Sequence, residues 1–369
     1  MRNKRTRVHT LLRVDNHPIS NEQSEIRAFM PVRNEILRLP HTLAHYRNLG
    51  VARFFIIDNG SSDGSKEFLL AQPDCHVFVT QNSFAEARCG VEWQNALLDE
   101  YGTGRWCLAV DADEWFIYPG YEHIPLVGLA AYLDRGAAQG MFSFLLDVYG
   151  PGRITDTVAA ANVPLLDVCR YFDREYEWHR RPYIPGIEPP RFPEYDVFGG
   201  PRLRLLFPNL RYYYYPIRAL WHTLNYLPIP LPHPLRTPPT LPKVPFVRWL
   251  PGTRYLHNHG TTPIKLSETT GVLLHFKFLQ DFGERVKIEA DRKEHWSGAS
   301  EYARYAAKLR KNPSLGFHHV GSVAYEGSDQ LVRLGLLRED KGWEQIRTAA
   351  VSHASPRYTE DLAPRAPRA

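Results

Sequence analysis

Between residues 25 and 150, short apolar runs alternate with segments whose apolar residues recur every three or four positions. The short runs predict strands at 25–32, 51–58, 75–80, 105–111 and 140–150. The amphipathic segments predict helices at 35–50, 84–102 and 124–135, and a shorter helix that ends near Leu70. This alternation is typical of an α/β fold with a mainly parallel central sheet flanked by helices. In such sheets, ligands bind beyond the carboxyl ends of the strands.

The rest of the chain has a different pattern. Many of the 30 prolines fall within 182–251, so long regular elements are not expected there. Residues 284–348 have a helical pattern, including the amphipathic stretch EYARYAAKLRK. We expect residues 1–24 to form a flexible N-terminal segment and residues 349–369 a disordered tail.

Three acids in four positions follow the fourth predicted strand, in the stretch CLAVDADEWF. In extended backbone, the side chains of Asp111 and Asp113 would share one face, because they are two residues apart. Their mutual repulsion would be relieved by Mn²⁺ or Mg²⁺, which prefer oxygen ligands and often bridge carboxylates to phosphates. The alternative is a solvated acidic turn.

The first and second strands also end in polar residues, in PVRNE and DNGSSDGS. Asp58, at the end of an apolar strand, can accept hydrogen bonds from a ribose or from the imide edge of a base. Arg33 offers a guanidinium fork to phosphate or base oxygens. Glu35 is either a ligand-binding carboxylate or a first-turn acid favoured by the helix dipole. All three loops are expected at one edge of the sheet.

The net charge and the cysteine content argue against several classes of function. The net charge of +5 over 369 residues is too small to indicate nucleic-acid binding, and basic runs are short. The four cysteines form no CxxC pair, so neither a zinc framework nor a disulfide framework is predicted. No run of about 20 apolar residues is present, so a transmembrane helix is not expected. We predict a cytoplasmic protein.

The ordered stretches PVRNE, IIDNGSSDGS, ARCG and LAVDADEW resemble the nucleotide-sugar domain of glycosyltransferase family 2, which has the GT-A fold. Cys89 stands where that family usually has an asparagine. Four later stretches, LLDVYG, YFDREY, FGGPRLR and LLHFKFL, resemble a bacterial subgroup of the same family. The resemblance implies a nucleotide-sugar-binding half at 25–150, an acceptor-side half at 151–283 and a helical extension at 284–348.

The resemblance also implies roles for individual residues. Those expected to bind the donor's base, ribose or nucleotide are Pro31, Arg33, Glu35, Asp58, Arg88 and Asp111. Asp113 would bind the metal, and Asp111 would reach the ribose or a metal-bound water. Such enzymes often add a histidine to the metal site, for which His275 and His259 are the candidates. The metal would stabilise the leaving nucleoside diphosphate.

An inverting reaction also requires a general base beside the acceptor hydroxyl. The candidates are Asp147, Asp173 and Glu175, and spacing does not choose among them. Arg202 and Arg204 would share a face if extended, where they could meet an anionic acceptor or the diphosphate, or form a solvated basic edge. The aromatic and basic segment 210–227 would either pack on its own domain or contact the inner face of the plasma membrane peripherally.

The sequence therefore predicts a metal-dependent, family 2-like glycosyltransferase. It would move a sugar from a nucleotide-diphosphate sugar to a glycan, a lipid-linked glycan or a surface polysaccharide precursor. The alternative is a non-catalytic nucleotide-sugar or carbohydrate-binding protein on the same fold. A nucleotidyltransferase is disfavoured, because PVRNE lacks the glycines of a phosphate-binding loop.

Overall fold

The computed structural model describes residues 11–160, 162–180, 192–206 and 239–353. The strands in these residues are β1 (Leu12–Arg13), β2 (Ile26–Val32), β3 (Val51–Asp58), β4 (Cys75–Val79), β5 (Trp106–Ala109), β6 (Glu114–Ile117), β7 (Gly140–Tyr149), β8 (Tyr171–Asp173), β9 (Tyr176–Arg180), β10 (Tyr195–Gly199), β11 (Pro242–Arg248), β12 (Tyr255–His257), β13 (Gly260–Thr261), β14 (Val272–His275) and β15 (Ser322–Ala324).

The α-helices in the same residues are α1 (Leu39–Asn48), α2 (Ser65–Leu70), α3 (Val91–Tyr101), α4 (Leu126–Arg135), α5 (Leu165–Val168), α6 (Gly200–Leu206), α7 (Phe282–Arg292), α8 (Trp296–Lys311), α9 (Ser328–Arg333) and α10 (Lys341–His353). None of the helices in these ranges combines the length and the apolar character that crossing a membrane would require.

The large sheet has the strand order β1-β4-β3-β2-β5-β11-β7-β14-β6. Its central strands β4, β3, β2 and β5 are parallel, and β11 joins β5 and β7 in antiparallel pairing. In the register of the parallel strands, Val32 lies opposite Asp58 and Phe29 opposite Ala109. The loops that follow β2, β3 and β5 therefore meet at one edge. The predicted α/β class with a parallel sheet centre is confirmed.

Both faces of this sheet are covered by helices. Alternate residues of β2 point in opposite directions, so Ala28 and Met30 pack in one core cluster while Phe29 packs in another. The first cluster includes apolar residues of α1, α2 and α4, and the second includes those of α3. The strands are apolar on both faces because both faces are buried.

Several element boundaries differ from the predictions. The predicted helix at 84–102 begins only at Val91, after a turn in which Gly90 has φ +78°. Part of the segment predicted as a flexible lead-in forms β1, which pairs with β4. The segment predicted as a tail from 349 continues α10 to His353. The predicted aromatic segment 210–227, and the tail from 354, lie outside the described residues.

Candidate active site

The acidic stretch after β5 is a turn, not extended backbone. Strand β5 ends at Ala109, and the N–H of Glu114 donates to the carbonyl of Asp111 at 3.1 Å. The N–H of Asp111 in turn donates to the Glu114 carboxylate at 3.1 Å. The expectation that Asp111 and Asp113 lie on one face of an extended strand is therefore wrong. The turn still keeps one oxygen from each of the three acids within 4.8 Å of the others.

Lys243 of β11 is the cation beside two of these acids. Its Nζ lies 2.8 Å from Asp111 Oδ2 and 2.5 Å from Glu114 Oε1. Burial opposes the charged ammonium, but the two carboxylates outweigh burial and raise the pKa of Lys243. Sequence reasoning missed this residue. The signal was a lone lysine in the apolar run LPKVPFV, where an unpaired charge would be costly.

Asp113 has a different partner, His275 at the end of β14. His275 Nε2 lies 3.3 Å from Asp113 Oδ2, and Nδ1 lies 2.6 Å from Asp147 Oδ1. All three side chains are at least nine-tenths buried. Burial disfavours the charged forms, but the mutual attraction lowers the pKa of Asp113 well below its ordinary value and raises that of His275. Of the two predicted histidines, His275 is the one placed against Asp113.

His259 occupies a separate position. Its Nδ1 lies 3.1 Å from the carbonyl oxygen of Pro242, the residue before Lys243. Burial, together with the nearby Lys243 charge, lowers the pKa of His259 to about 3, so its imidazole is neutral at physiological pH. Among the described residues, the potential metal-binding cluster contains only Asp111, Asp113 and Glu114 and includes neither His259 nor His275.

A shallow cleft, with space for little more than a water molecule, lies beside the acid cluster. The residues lining it are Pro31, Cys89, Gln94, Ala109, Val110, Asp111, Lys243, Tyr255 and Asn258. They come from the ends of β2 and β5, from the turn before α3, and from β11 and the β12 hairpin. The cleft therefore combines apolar walls with a few polar groups, as small-molecule sites do.

The loops after β2 and β3 support the cleft. Asp58 is buried, and its carboxylate accepts the N–H groups of Gly60 and Ser61, each at 3.2 Å. Arg33 donates to the carbonyl of Asn59 through one nitrogen, while its buried Nε has no acceptor among the described residues. Asp58 thus stabilises the loop itself, and the described residues that line the cleft include neither Asp58 nor Arg33.

Glu35 lies away from the cleft residues, in an ion-pair cluster. It pairs with Arg38 at 3.2 Å and with Arg285 of α7. Burial raises the pKa of Glu35, against the pull of both arginines. Arg88 is 63% exposed and pairs with Glu92 at 3.2 Å, so it too is not among the cleft-lining residues.

The two arginines of FGGPRLR lie on helix α6 rather than on extended backbone, which corrects the expectation of a shared strand face. Arg202 donates to Asp147 at 2.7 Å. Arg204 donates to Asp173 at 3.0 Å, and Tyr149 also donates to that carboxylate. Two of the three predicted base candidates, Asp147 and Asp173, are thus held by arginines, and of these two Asp147 contacts His275. Glu175, the third, is exposed.

Comparisons with known proteins give fold-level likenesses only. The chain matches no family model, and no curated protein matches it. Solved structures with partial similarity include a Bacillus anthracis protein assigned as a glucose-1-phosphate thymidylyltransferase, in complex with sucrose (11% identity, 37% of this chain and 60% of that chain, TM-score 0.24). Another is a 4-diphosphocytidyl-2C-methyl-D-erythritol synthase (17% identity, 36% of this chain and 64% of that chain, TM-score 0.23).

A third is glucosyl-3-phosphoglycerate synthase from Mycobacterium tuberculosis with phosphoglyceric acid (20% identity, 38% of this chain and 51% of that chain, TM-score 0.22). The alignments therefore cover less than two thirds of each of these three proteins. At such TM-scores the likenesses carry no argument about the site.

Proposed function

We propose that this protein is a metal-dependent glycosyltransferase that uses a nucleotide-diphosphate sugar as donor. The observation that carries the proposal is the acid turn after β5, at the carboxyl edge of a parallel sheet, where Asp111 lines the cleft and the nearby Asp113 contacts His275. Nucleotide ligands bind at this edge in open α/β sheets. The acceptor would be a glycan, a lipid-linked glycan or a surface polysaccharide precursor, as the family 2 resemblance implies.

In this proposal, each part of the site binds a different part of the donor. Pro31 and the apolar wall of the cleft would face the base, and Arg33 would bind a base or phosphate oxygen only after its guanidinium turns away from Asn59. Asp111, whose side chain is 39% exposed, would accept from the ribose. Arg88 would reach the nucleotide only after leaving Glu92, and Glu35 would act by holding Arg285 in place.

The residues present fit a divalent cation. Asp113 offers a carboxylate and His275 an imidazole nitrogen, a pair suited to Mn²⁺ and compatible with Mg²⁺. Asp147 holds the other ring nitrogen of His275, an arrangement common around metal-bound histidines. A bound cation would offset negative charge on the leaving diphosphate. The general base remains a prediction, with Asp147 and Asp173 as its candidates.

Thermal unfolding in the presence of Mn²⁺ and either uridine or guanosine diphosphate tests the proposal. We expect one nucleotide to raise the melting temperature only when Mn²⁺ is present, and D113A to lose that shift. D63A is the matched control, because Asp63 is an acid in the loop after β3 whose hydrogen-bond partners among the described residues are the backbone N–H groups of Ile36 and Ser65. If no nucleoside diphosphate stabilises the wild-type protein, the proposal is wrong. Transfer or hydrolysis of the donor then distinguishes an enzyme from a binding protein.

A further inference from the structure

Lys243 occupies the space between two acids of the turn. Its ammonium lies 2.8 Å from Asp111 Oδ2 and 2.5 Å from Glu114 Oε1. A divalent cation bound to both oxygens would lie about 2.0–2.6 Å from each of them. The ammonium and such a cation would therefore compete for the same volume. Within the acid cluster, Asp113 is the acid with no hydrogen bond to Lys243 among the described residues.

The sheet holds Lys243 in this position. Residue 243 lies opposite Ser143 of β7, and β11 also pairs with β5 from Phe246 onward. The lysine side chain is only 8% exposed and that of Glu114 only 2% exposed. Moving the ammonium out to solvent would leave Glu114 buried with an uncompensated charge, which is strongly unfavourable. The lysine is thus a fixed part of the site.

We infer that Lys243 is a built-in counter-ion that keeps divalent metal away from Asp111 and Glu114 and confines it to Asp113 and His275. The inference rests on the proposed metal-dependent function for its role in the reaction. Lys243 is a positioning residue in this scheme. It keeps the carboxylate of Asp111 in the cleft wall and leaves that carboxylate to accept hydrogen bonds from the donor, instead of serving as a metal ligand.

Manganese binding followed by electron paramagnetic resonance tests this assignment on the metal-stripped full chain. We expect the wild-type protein to bind one Mn²⁺, D113N to lose it and D111N to retain it. K243M should gain Mn²⁺ affinity at the uncovered acids, seen as a second bound ion or as about tenfold tighter binding. That gain should vanish in the double variant K243M/D111N.

Thermal unfolding gives a second readout. With EDTA present, K243M should melt below the wild-type protein, because Asp111 and Glu114 repel each other without the lysine. Mn²⁺ should restore more of this loss than it adds to the wild-type protein. K243R retains a cation and should keep the wild-type metal stoichiometry. K265M is the control, since Lys265 donates only to the carbonyl of Gly136 at the surface.

The outcomes separate this inference from the proposed function. If D111N abolishes Mn²⁺ binding as D113N does, or if K243M binds Mn²⁺ as the wild type does, the counter-ion assignment is overturned. If the wild-type protein binds no Mn²⁺ but K243M does, the counter-ion role of Lys243 stands, whereas the metal site at Asp113 and His275 is overturned together with the metal-dependent function. Should K243M not fold, the number of Mn²⁺ ions that K243R binds and the effect of D111N on Mn²⁺ binding still test the assignment.

Discussion

At the scale of single residues, His275 joins the carboxylate of Asp113 to the buried ion pair of Asp147 and Arg202. Asp147 accepts from Nδ1 and is itself held by Arg202. Because Nδ1 is engaged, Nε2 is the ring nitrogen that faces Asp113. The two carboxylates raise the pKa of His275, so a metal would bind Nε2 by displacing its proton, while the proton on Nδ1 stays hydrogen-bonded to Asp147.

Replacing Asp147 should therefore weaken metal binding without removing a metal ligand. We expect D147N to reduce Mn²⁺ affinity by roughly 10–100-fold, the usual cost of losing such a supporting group. Isothermal titration with Mn²⁺ at pH 7 measures the effect. D173N is the matched control, because Asp173 is also held by an arginine but has no contact with His275. Equal losses in both variants would assign the effect to general destabilisation.

At the scale of elements, helix α7 covers the loop after β2 through ionic contacts. Arg285 reaches Glu35, and Arg38 pairs with Asp281 just before the helix at 2.9 Å. At the other end of α7, Glu289 accepts from Arg292 at 2.7 Å and lies 3.1 Å from His295. The contacts of Arg285 and Asp281 connect α7 to the loop after β2, and those of Glu289 lie within the C-terminal helical segment.

The ionic contacts of Glu289 predict that part of the protein's stability is lost in acid. Burial opposes the carboxylate, but His295 and Arg292 lower the pKa of Glu289 to about 2. Since the folded pKa is depressed, its stabilising effect is present above the ordinary value near 4.5 and is lost as the pH falls toward 2. We expect E289Q to reduce the free energy of unfolding by about 2 kcal/mol at pH 7 and by progressively less below pH ~4.

Denaturant unfolding of E289Q between pH 2 and pH 7 measures this difference. E284Q serves as its control, because Glu284 lies exposed on the same helix. A stability difference that stays constant across the whole range would contradict the ionic origin and point to a packing defect instead.

Among the elements, the strongly periodic ones were predictable and the loops were not. Strands β2 and β3 are buried on both faces, so their apolar runs identify them directly. The late start of α3 could not be anticipated, because the residues before Val91 carry a helical pattern of their own. Arg88 and Cys89 take positive φ values there, which only the packing of the turn specifies.

At the scale of the whole molecule, the C-terminal helices share a core with the sheet. Trp343 of α10 is fully buried in the same cluster as Ile26 of β2. Its indole N–H donates to the carbonyl of Pro119 at 2.9 Å, and its ring packs on Tyr132. The segment predicted as a helical extension is thus packed against the elements that carry the acid turn.

Truncating Trp343 should consequently destabilise the entire fold. We expect W343A to lower the free energy of unfolding by about 3–5 kcal/mol, as large-to-small substitutions in a core do. Chemical denaturation followed by circular dichroism measures this loss. V351A on the same helix is the control, since Val351 is 42% exposed. A loss below about 1 kcal/mol would mean that α10 is peripheral to the core.

The sequence by itself determined the α/β class, the five strands predicted between residues 25 and 150 and the polar residues at the ends of three of them, because these follow from local periodicity and chain order. Its family resemblance also offered Asp111, Asp113, His275 and His259 as metal-ligand candidates. Only the tertiary structure decided that His275 rather than His259 meets Asp113, and that Lys243 neutralises Asp111 and Glu114. These contacts join residues more than 100 positions apart. Strand pairing across the sheet decides which of these residues meet, and no local pattern in the sequence encodes that pairing.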